Sequence, residues 1–255
     1  MTGDRRRPLV AGNWKMHLDA ASAAALAREV IQTTARARWC DVVVIPAFPL
    51  IPAVVRVVAG TTVEVGAQDL SPEAEGAFTG DVSAKMLVSV GCRWVIIGHS
   101  ERRKYHLEGD DVVRAKCVRA LSAGLTPIVC VGEQLSERRA GETLHRIEVQ
   151  VRFGLGGLSP EDAARVVIAY EPVWAIGTGE TATPGQAEEV HEFIRRLWAG
   201  MYGEELAVRL RILYGGSVKP SNAAELMAQK DVDGALVGGA SLLARDFGEI
   251  IAATR

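Results

Sequence analysis

Short apolar runs recur along the chain at regular intervals, and longer stretches with helical spacing separate them. Each run is rich in Val, Ile and Leu and does not alternate with polar residues, which is typical of strands buried on both faces. The pattern predicts eight strands, at 8–11, 42–45, 63–67, 94–97, 126–131, 166–170, 210–214 and 235–237. The intervening stretches are rich in Ala, Glu and Arg and predict helices, for example at 20–34, 112–123 and 185–200.

The regular alternation of strand and helix indicates a parallel sheet with right-handed crossovers. Eight such units in 255 residues predict an α/β fold, a single-domain (β/α)8 barrel spanning residues 1–255. A doubly wound open sheet is the weaker alternative. At one helix start, Ser159 is the expected N-cap, Pro160 the first helical residue, and Asp162 completes a capping box.

Composition excludes several classes of partner. The chain has 48% hydrophobic and 24% charged residues and a formal net charge of -2, which favours neither nucleic acid nor an anionic membrane. The apolar start at 8–11 is too short for a signal peptide, and no segment approaches the roughly 20 apolar residues that cross a bilayer. Four cysteines stand outside C-x-x-C spacing, at Cys40, Cys92, Cys117 and Cys130. They indicate reduced thiols in a cytoplasmic protein without a metal site.

Chemistry in a barrel collects where its strands end. Glu171 directly follows the sixth strand, where a carboxylate suits proton transfer better than packing. The segment 172–179 begins with a stiff Pro172 and ends with flexible Gly177 and Gly179. Trp174 lies between them, so the segment resembles a lid that excludes water from the base.

Other strand ends carry polar groups that barrel closure would bring near Glu171. Lys15 follows the first strand and would be a cation for an anionic substrate. His99 follows the fourth strand and fits a hydrogen-bond donor, although a lone histidine is more often an ordinary core residue. The adjacent Ser100 does not indicate a serine hydrolase, because the G-x-S-x-G elbow is missing.

Three further features have ordinary structural interpretations. Glu101, Arg102 and Arg103 fit a solvated helix start, although Glu101 is near enough to support the site from behind. His191 and its neighbour Glu192 lack the second histidine of a zinc-binding helix, so we assign them to a helix surface. Cys130 within a strand is expected to be core rather than nucleophile.

Glycine pairs follow the last two strands, in Gly215-Gly216-Ser217 and Gly238-Gly239. The backbone N–H groups after the seventh and eighth strands of a barrel commonly bind phosphate, together with the start of a short extra helix. Either pair alone would indicate only a turn. Two pairs on neighbouring strands predict a phosphate site.

Five segments resemble the triosephosphate isomerase family, in order and over essentially the whole chain. They are AGNWKM at 11–16, GHSERR at 98–103, AYEPVWAIGTG at 169–179, YGGSV at 214–218 and LVGGASL at 236–242. The resemblance implies a TIM barrel that interconverts dihydroxyacetone phosphate and D-glyceraldehyde 3-phosphate through an enediolate. It also implies that no metal or organic cofactor takes part.

The resemblance also implies roles for individual residues. Glu171 would be the base and His99 a neutral imidazole, kept neutral by a helix that begins at 100–103. Lys15 would stabilise the enediolate charge, Asn13 would position Lys15 and donate a hydrogen bond, and Glu101 would support them. The phosphate would lie on the N–H groups of Gly177, Ser217, Gly238 and Gly239.

A homodimer is implied as well, through the loop at 76–81. Thr79 would approach the partner's Asn13 and the partner's His99, although Phe78 could equally fold back on its own core. The chain departs from the family pattern at several positions, some near the expected dimer contact, and none touches the proposed base or phosphate site. They are His17, Asp69, Asp81, Ala235 and 106–107.

Two other functions compete with this hypothesis. One is an isomerase of the same mechanism acting on a longer ketose phosphate, such as a tetrulose phosphate. The other is a non-catalytic barrel that binds phosphate or a partner protein. The joint presence of Lys15, His99 and Glu171 argues against the second.

Overall fold

Eight parallel strands close into a barrel in the computed structural model, which describes residues 6–176 and 180–255. Each strand pairs with its neighbours in sequence, and β8 pairs with β1. The strands are β1 Leu9–Asn13, β2 Asp41–Ile45, β3 Val63–Ala67, β4 Trp94–Ile97, β5 Thr126–Val131, β6 Val167–Tyr170, β7 Arg211–Tyr214 and β8 Gly234–Val237. The predicted single-domain barrel is confirmed and the open sheet is excluded. The exact extent of the domain, 1–255, stays a prediction.

Helices surround the barrel in the described part of the chain. They are α1 Ala20–Thr34, α2 Ile51–Val58, α3 Ala84–Ser89, α4 Ser100–Tyr105, α5 Asp110–Ser122, α6 Leu135–Arg139, α7 Thr143–Leu155, α8 Pro160–Ala163, α9 Pro184–Tyr202, α10 Glu204–Arg209, α11 Pro220–Met227 and α12 Ala244–Ala252. Short 3-10 turns lie at Phe48–Leu50, Val173–Ala175 and Gly239–Leu242. No described helix is long and apolar enough to cross a membrane.

The N-termini of two helices, α8 and α5, lie where their capping and acidic residues place them. The Ser159 hydroxyl accepts the Asp162 N–H, which confirms Ser159 as the N-cap of α8. The Asp162 carboxylate accepts from the Ser159 hydroxyl rather than from its N–H, so the predicted capping box is incomplete. The prediction at 112–123 began two residues late, because α5 starts with the acidic pair Asp110 and Asp111. Acidic side chains suit the first turn of a helix, where the backbone N–H groups are unpaired.

Alternate strand residues divide between two apolar layers. One set points into the barrel and forms a cluster made only of strand residues, including Leu9, Ile45, Ile96 and Cys130. The other set packs outward against the helices. Cys130 is therefore a core residue, as predicted, and all four cysteines are buried free thiols.

The assignment of His191 to a helix surface is wrong. His191 is completely buried, on the same face of α9 as Ala187, Val190 and Ile194. Those apolar residues have helical spacing around position 191, so the sequence already placed the histidine on the buried face. Glu192, one residue further, is exposed. No group of three or more metal-ligating side chains occurs in the described ranges.

Candidate active site

The predicted site residues meet at the C-terminal ends of the strands. A cavity of about 760 Å³ is lined by Asn13, Lys15, His99, Glu171, Ser217, Gly238 and Gly239. Glu101 lies beside the cavity and contacts Lys15. Gly177, the remaining predicted ligand, lies outside the described residues, as do the last residues of the predicted lid.

Glu171 is buried at the end of β6, with only 2% of its surface exposed. One carboxylate oxygen, Oε1, lies 3.0 Å from His99 Nε2. The other, Oε2, accepts the Ser100 N–H at 2.9 Å. Burial alone would raise the pKa of Glu171, but His99, the Ser100 N–H and Lys15 together hold it below its ordinary value. The Glu171 carboxylate is therefore ionised at neutral pH.

His99 is the N-cap of α4. Its Nδ1 atom accepts the Glu101 N–H at 3.2 Å, so Nδ1 carries no proton and Nε2 carries one. This arrangement fits the neutral imidazole that the sequence predicted, with the helix start acting through a direct hydrogen bond. Burial lowers the pKa of His99, but the Glu171 carboxylate more than offsets it, and the net shift is upward. A substrate that separates the pair would remove that opposing contribution and favour the neutral form.

Lys15 has a left-handed backbone, with φ at +50°, which is uncommon for a residue other than glycine. Its N–H donates to Asn13 Oδ1 at 3.0 Å, and its carbonyl accepts the Gln68 amide at 2.8 Å. The ammonium group lies 2.6 Å from Glu101 Oε1. Asn13 thus contacts the Lys15 backbone, and Glu101 contacts its charge.

Two contributors were missed by the sequence analysis. Gln68 follows β3 and donates to the carbonyls of Lys15 and Ile45, joining the ends of β1 and β2. Glu133 follows β5 and accepts hydrogen bonds from Trp174 Nε1 at 2.8 Å and Tyr170 Oη at 3.1 Å. Burial raises the pKa of Glu133. Both residues lie just after the end of a strand. The same position in the sequence identified Lys15, His99 and Glu171, so it could also have identified these two.

The glycines after β7 have a steric function. A Cβ on Gly215 would lie 2.9 Å from Glu171 Cγ, and one on Gly216 would lie 2.3 Å from Tyr214 Oη. In contrast, a Cβ on Gly239 would meet nothing within 4 Å, and one on Gly238 only Lys15 Cε at 3.5 Å. Gly215 thus makes room for Glu171 and Gly216 for the Tyr214 ring, while the backbone at Gly238 and Gly239 is open to the cavity.

The assignment of Arg102 and Arg103 to a solvated helix start is wrong. Arg103 has a side chain only 15% exposed, and it pairs with Asp110 at 2.6 Å. Arg102 contacts two carboxylates that are almost completely buried, Glu108 and Asp69. Both arginines point inward, because α4 lies against neighbouring loops instead of solvent.

The family model and the similar proteins all indicate the same family. The sequence model of the family described as Triosephosphate isomerase matches residues 8–254. The chain is 55% identical over 249 residues to the triosephosphate isomerase of Moorella thermoacetica, covering 96% of this chain and 98% of the relative. It is 52% identical over 246 residues to that of Thermoanaerobacter pseudethanolicus, covering 96% and 99%. It is 53% identical over 247 residues to that of Chloroherpeton thalassium, covering 96% and 98%.

Proposed function

Because the chain belongs to the triosephosphate isomerase family, we propose that the groups at its strand ends carry out this family's proton transfer, with Glu171 as the base. The chain is an aldose–ketose isomerase that interconverts dihydroxyacetone phosphate and D-glyceraldehyde 3-phosphate. In this family the environment tunes the pKa of a carboxylate base and of a neutral imidazole that acts beside it.

In the proposed reaction, Glu171 takes a proton from C1 of dihydroxyacetone phosphate. The C–H electron pair forms the enediolate double bond, and the carbonyl oxygen on C2 takes the negative charge. His99 gives its Nε2 proton to that oxygen and takes one from the hydroxyl on C1. Glu171 then returns its proton to C2. Only protons move, so the proposal includes no metal or organic cofactor.

The observation that carries this proposal is the geometry of His99. Its Nδ1 accepts a backbone N–H while its Nε2 lies 3.0 Å from the Glu171 carboxylate. The donor and the base therefore face the same space, and a substrate between them would place its two reacting carbons within reach of both.

Lys15 and Asn13 add further polar groups to the lining of the same cavity. We propose that Lys15 stabilises the negative charge on the enediolate, since its ammonium group lines the same cavity. Asn13 would donate a hydrogen bond and hold Lys15 through the backbone contact. Glu101 would fix the position of the ammonium group, which it contacts at 2.6 Å.

The substrate phosphate would bind at the ends of β7 and β8. We assign it to the backbone N–H groups of Ser217, Gly238 and Gly239, next to the 3-10 turn Gly239–Leu242. Gly177 remains part of the proposal as a further N–H donor. The open space beside Gly238 and Gly239 supports this assignment.

Water must be kept from the enediolate, because in water this intermediate can eliminate its phosphate. The first part of the predicted lid, the turn Val173–Ala175, is joined to β5 through the hydrogen bond between Trp174 and Glu133. We propose that closing the lid over Glu171 protects the intermediate.

A coupled assay with glyceraldehyde 3-phosphate tests the function, with the Glu171→Gln variant as the test of the base. We expect wild-type turnover that is inhibited by a phosphorylated hydroxamate, and almost none in the variant. A wild-type rate in Glu171→Gln would disprove the base assignment. The same assay with a tetrulose phosphate tests the longer-substrate alternative, which the relatives do not favour.

We also propose a cytoplasmic homodimer formed through the loop at 76–81. Large apolar side chains are exposed near this loop and near the site, with Met16 94%, Phe78 46% and Met86 55% exposed. Exposed apolar clusters mark protein contacts. Light scattering after size exclusion should give twice the mass of one chain, and Phe78→Asp should shift that mass toward a monomer.

A further inference from the structure

The Arg103 guanidinium group joins the ends of two neighbouring strands. Its Nε donates to the carbonyl of Gly98 at 2.9 Å, just after β4. Its Nη2 donates to the carbonyl of Cys130 at 3.2 Å, near the end of β5. Its Nη1 pairs with Asp110 Oδ1 at 2.6 Å, at the start of α5. Three donors of one planar group are thus fixed by three different segments.

This bridge begins where the backbone pairing of the two strands ends. The register of β4 and β5 runs from Trp94 opposite Thr126 to Ile97 opposite Val129. The next residue after β4, Gly98, has a φ of +67° and turns away from the sheet. A Cβ there would lie 2.7 Å from Val113, so only glycine fits this turn. Beyond this point, the Arg103 guanidinium group connects the two strand ends in place of backbone hydrogen bonds.

Both reacting groups depend on the strand ends that Arg103 joins. His99 directly follows Gly98. Glu171 is attached to the end of β5, since its N–H donates to the Val131 carbonyl at 2.8 Å. Its carbonyl also lies 1.8 Å from the position a Cβ on Gly132 would take. The relative position of β4 and β5 therefore sets the 3.0 Å separation of His99 and Glu171.

We propose that Arg103 is a positioning residue that sets the geometry between His99 and Glu171. It touches neither group and acts through the carbonyls of Gly98 and Cys130. This inference rests on the proposed roles of Glu171 and His99. Its physical basis is that a misplacement of about 1 Å between reacting groups costs up to about 10²-fold in rate.

Arg103→Lys is the direct test. Lysine keeps the positive charge and can still pair with Asp110, but one ammonium group cannot hold both carbonyls in a fork. Asp110→Asn is the matched control, because it weakens the ion pair and leaves both carbonyl contacts intact. Should Arg103→Lys not fold, Arg103→Gln takes its place, with the same expected results.

The measured quantities are kcat, KM and two inhibition constants. For Arg103→Lys we expect kcat to fall about tenfold or more, with KM changed by less than about twofold. Inhibition by a phosphorylated hydroxamate, which mimics the enediolate and would lie between His99 and Glu171, should weaken about tenfold, while inhibition by inorganic phosphate stays unchanged. Asp110→Asn should keep all four values within about twofold of wild type.

Two results would overturn the proposal. One is a kcat for Arg103→Lys within about twofold of wild type. The other is an equal loss in Asp110→Asn, or equal weakening of both inhibitors, since either would indicate general loosening of the fold. Glu171→Gln is assayed in parallel. If that variant keeps wild-type turnover, the proposed base is wrong, which is a separate failure from that of Arg103.

Discussion

His191 makes the folded protein sensitive to mild acid. The ring is completely buried and packs edge-on against Tyr170. Its Nδ1 lies 3.1 Å from the Asp231 carbonyl, so Nδ1 carries the proton and donates. Its Nε2 has no hydrogen-bond partner among the described residues. A second proton on Nε2 would be a buried charge with no acceptor, which is strongly unfavourable.

The size of the effect follows from the pKa of His191. Burial lowers it from 6.5 to about 4. The unfolded chain binds a proton as the pH falls below 6.5, and the folded chain does so only near pH 4. The folded state therefore loses stability as the pH falls through this window and loses no more below it. At about 1.4 kcal/mol per pH unit, the total is about 3 kcal/mol.

His191→Asn isolates this contribution, because the asparagine Nδ2 can keep the hydrogen bond to the Asp231 carbonyl and does not titrate. Urea unfolding of both proteins is measured between pH 7.5 and pH 4, at one protein concentration. The variant should be the less stable protein at pH 7.5, since it leaves a cavity. The difference in the free energy of unfolding between wild type and variant should be about 3 kcal/mol smaller at pH 4 than at pH 7.5, because only wild type loses this contribution. His145→Asn, at an exposed position of α7, is the control and should leave the pH dependence of wild type. Parallel curves for wild type and His191→Asn would refute the reasoning.

Three substitutions test the site itself. Glu171→Asp withdraws the carboxylate by one methylene, so kcat should fall by about 10²-fold or more while KM changes little. Steady-state kinetics measure both, and an unchanged kcat contradicts the base assignment. Lys15→Ala removes the cation from the cavity, and kcat/KM should fall by at least about 10²-fold; a near-wild-type value would exclude its electrostatic role. Gly215→Ala places a methyl group 2.9 Å from Glu171 Cγ, so kcat should fall while circular dichroism shows the fold unchanged. Gly200→Ala, where a Cβ meets nothing within 4 Å, is its control and should retain wild-type kcat.

The barrel could be predicted from the sequence because each strand is apolar on both faces. Runs of this kind fit a sheet covered by helices, and eight of them close on themselves. The convergence of Lys15, His99 and Glu171 then follows from topology, since parallel strands all end on one side. The predicted and observed strand boundaries differ by one or two residues. For example, β1 was predicted to end at residue 11 but continues through Gly12 and Asn13.

The destinations of long side chains could not be predicted in this way. The sequence suggests a solvated Arg103, because nothing local shows that its guanidinium group reaches both the Gly98 carbonyl just after β4 and the Cys130 carbonyl of β5. The left-handed backbone of Lys15 depends on Gln68, which lies 53 residues away and on another strand. Gly215 was predicted to serve a ligand, although its lack of a side chain also makes room for Glu171. In each case the cause is a contact that exists only after the barrel closes.

The charged groups of the candidate site constrain how the proposed substrate would be held. The Glu171 carboxylate faces His99 and raises the pKa of its imidazole, while Lys15 is paired with Glu101 at 2.6 Å. The positive charge of Lys15 is thus partly balanced by a neighbouring carboxylate. A phosphate dianion entering this cavity needs attraction from another source. In the proposed phosphate site, backbone N–H groups at the ends of β7 and β8 would provide this attraction without adding a charge, since their partial charges are fixed by the fold. A phosphate held in this way would not compete for Lys15, which we assign to the enediolate, so the two proposed roles fall to different strand ends.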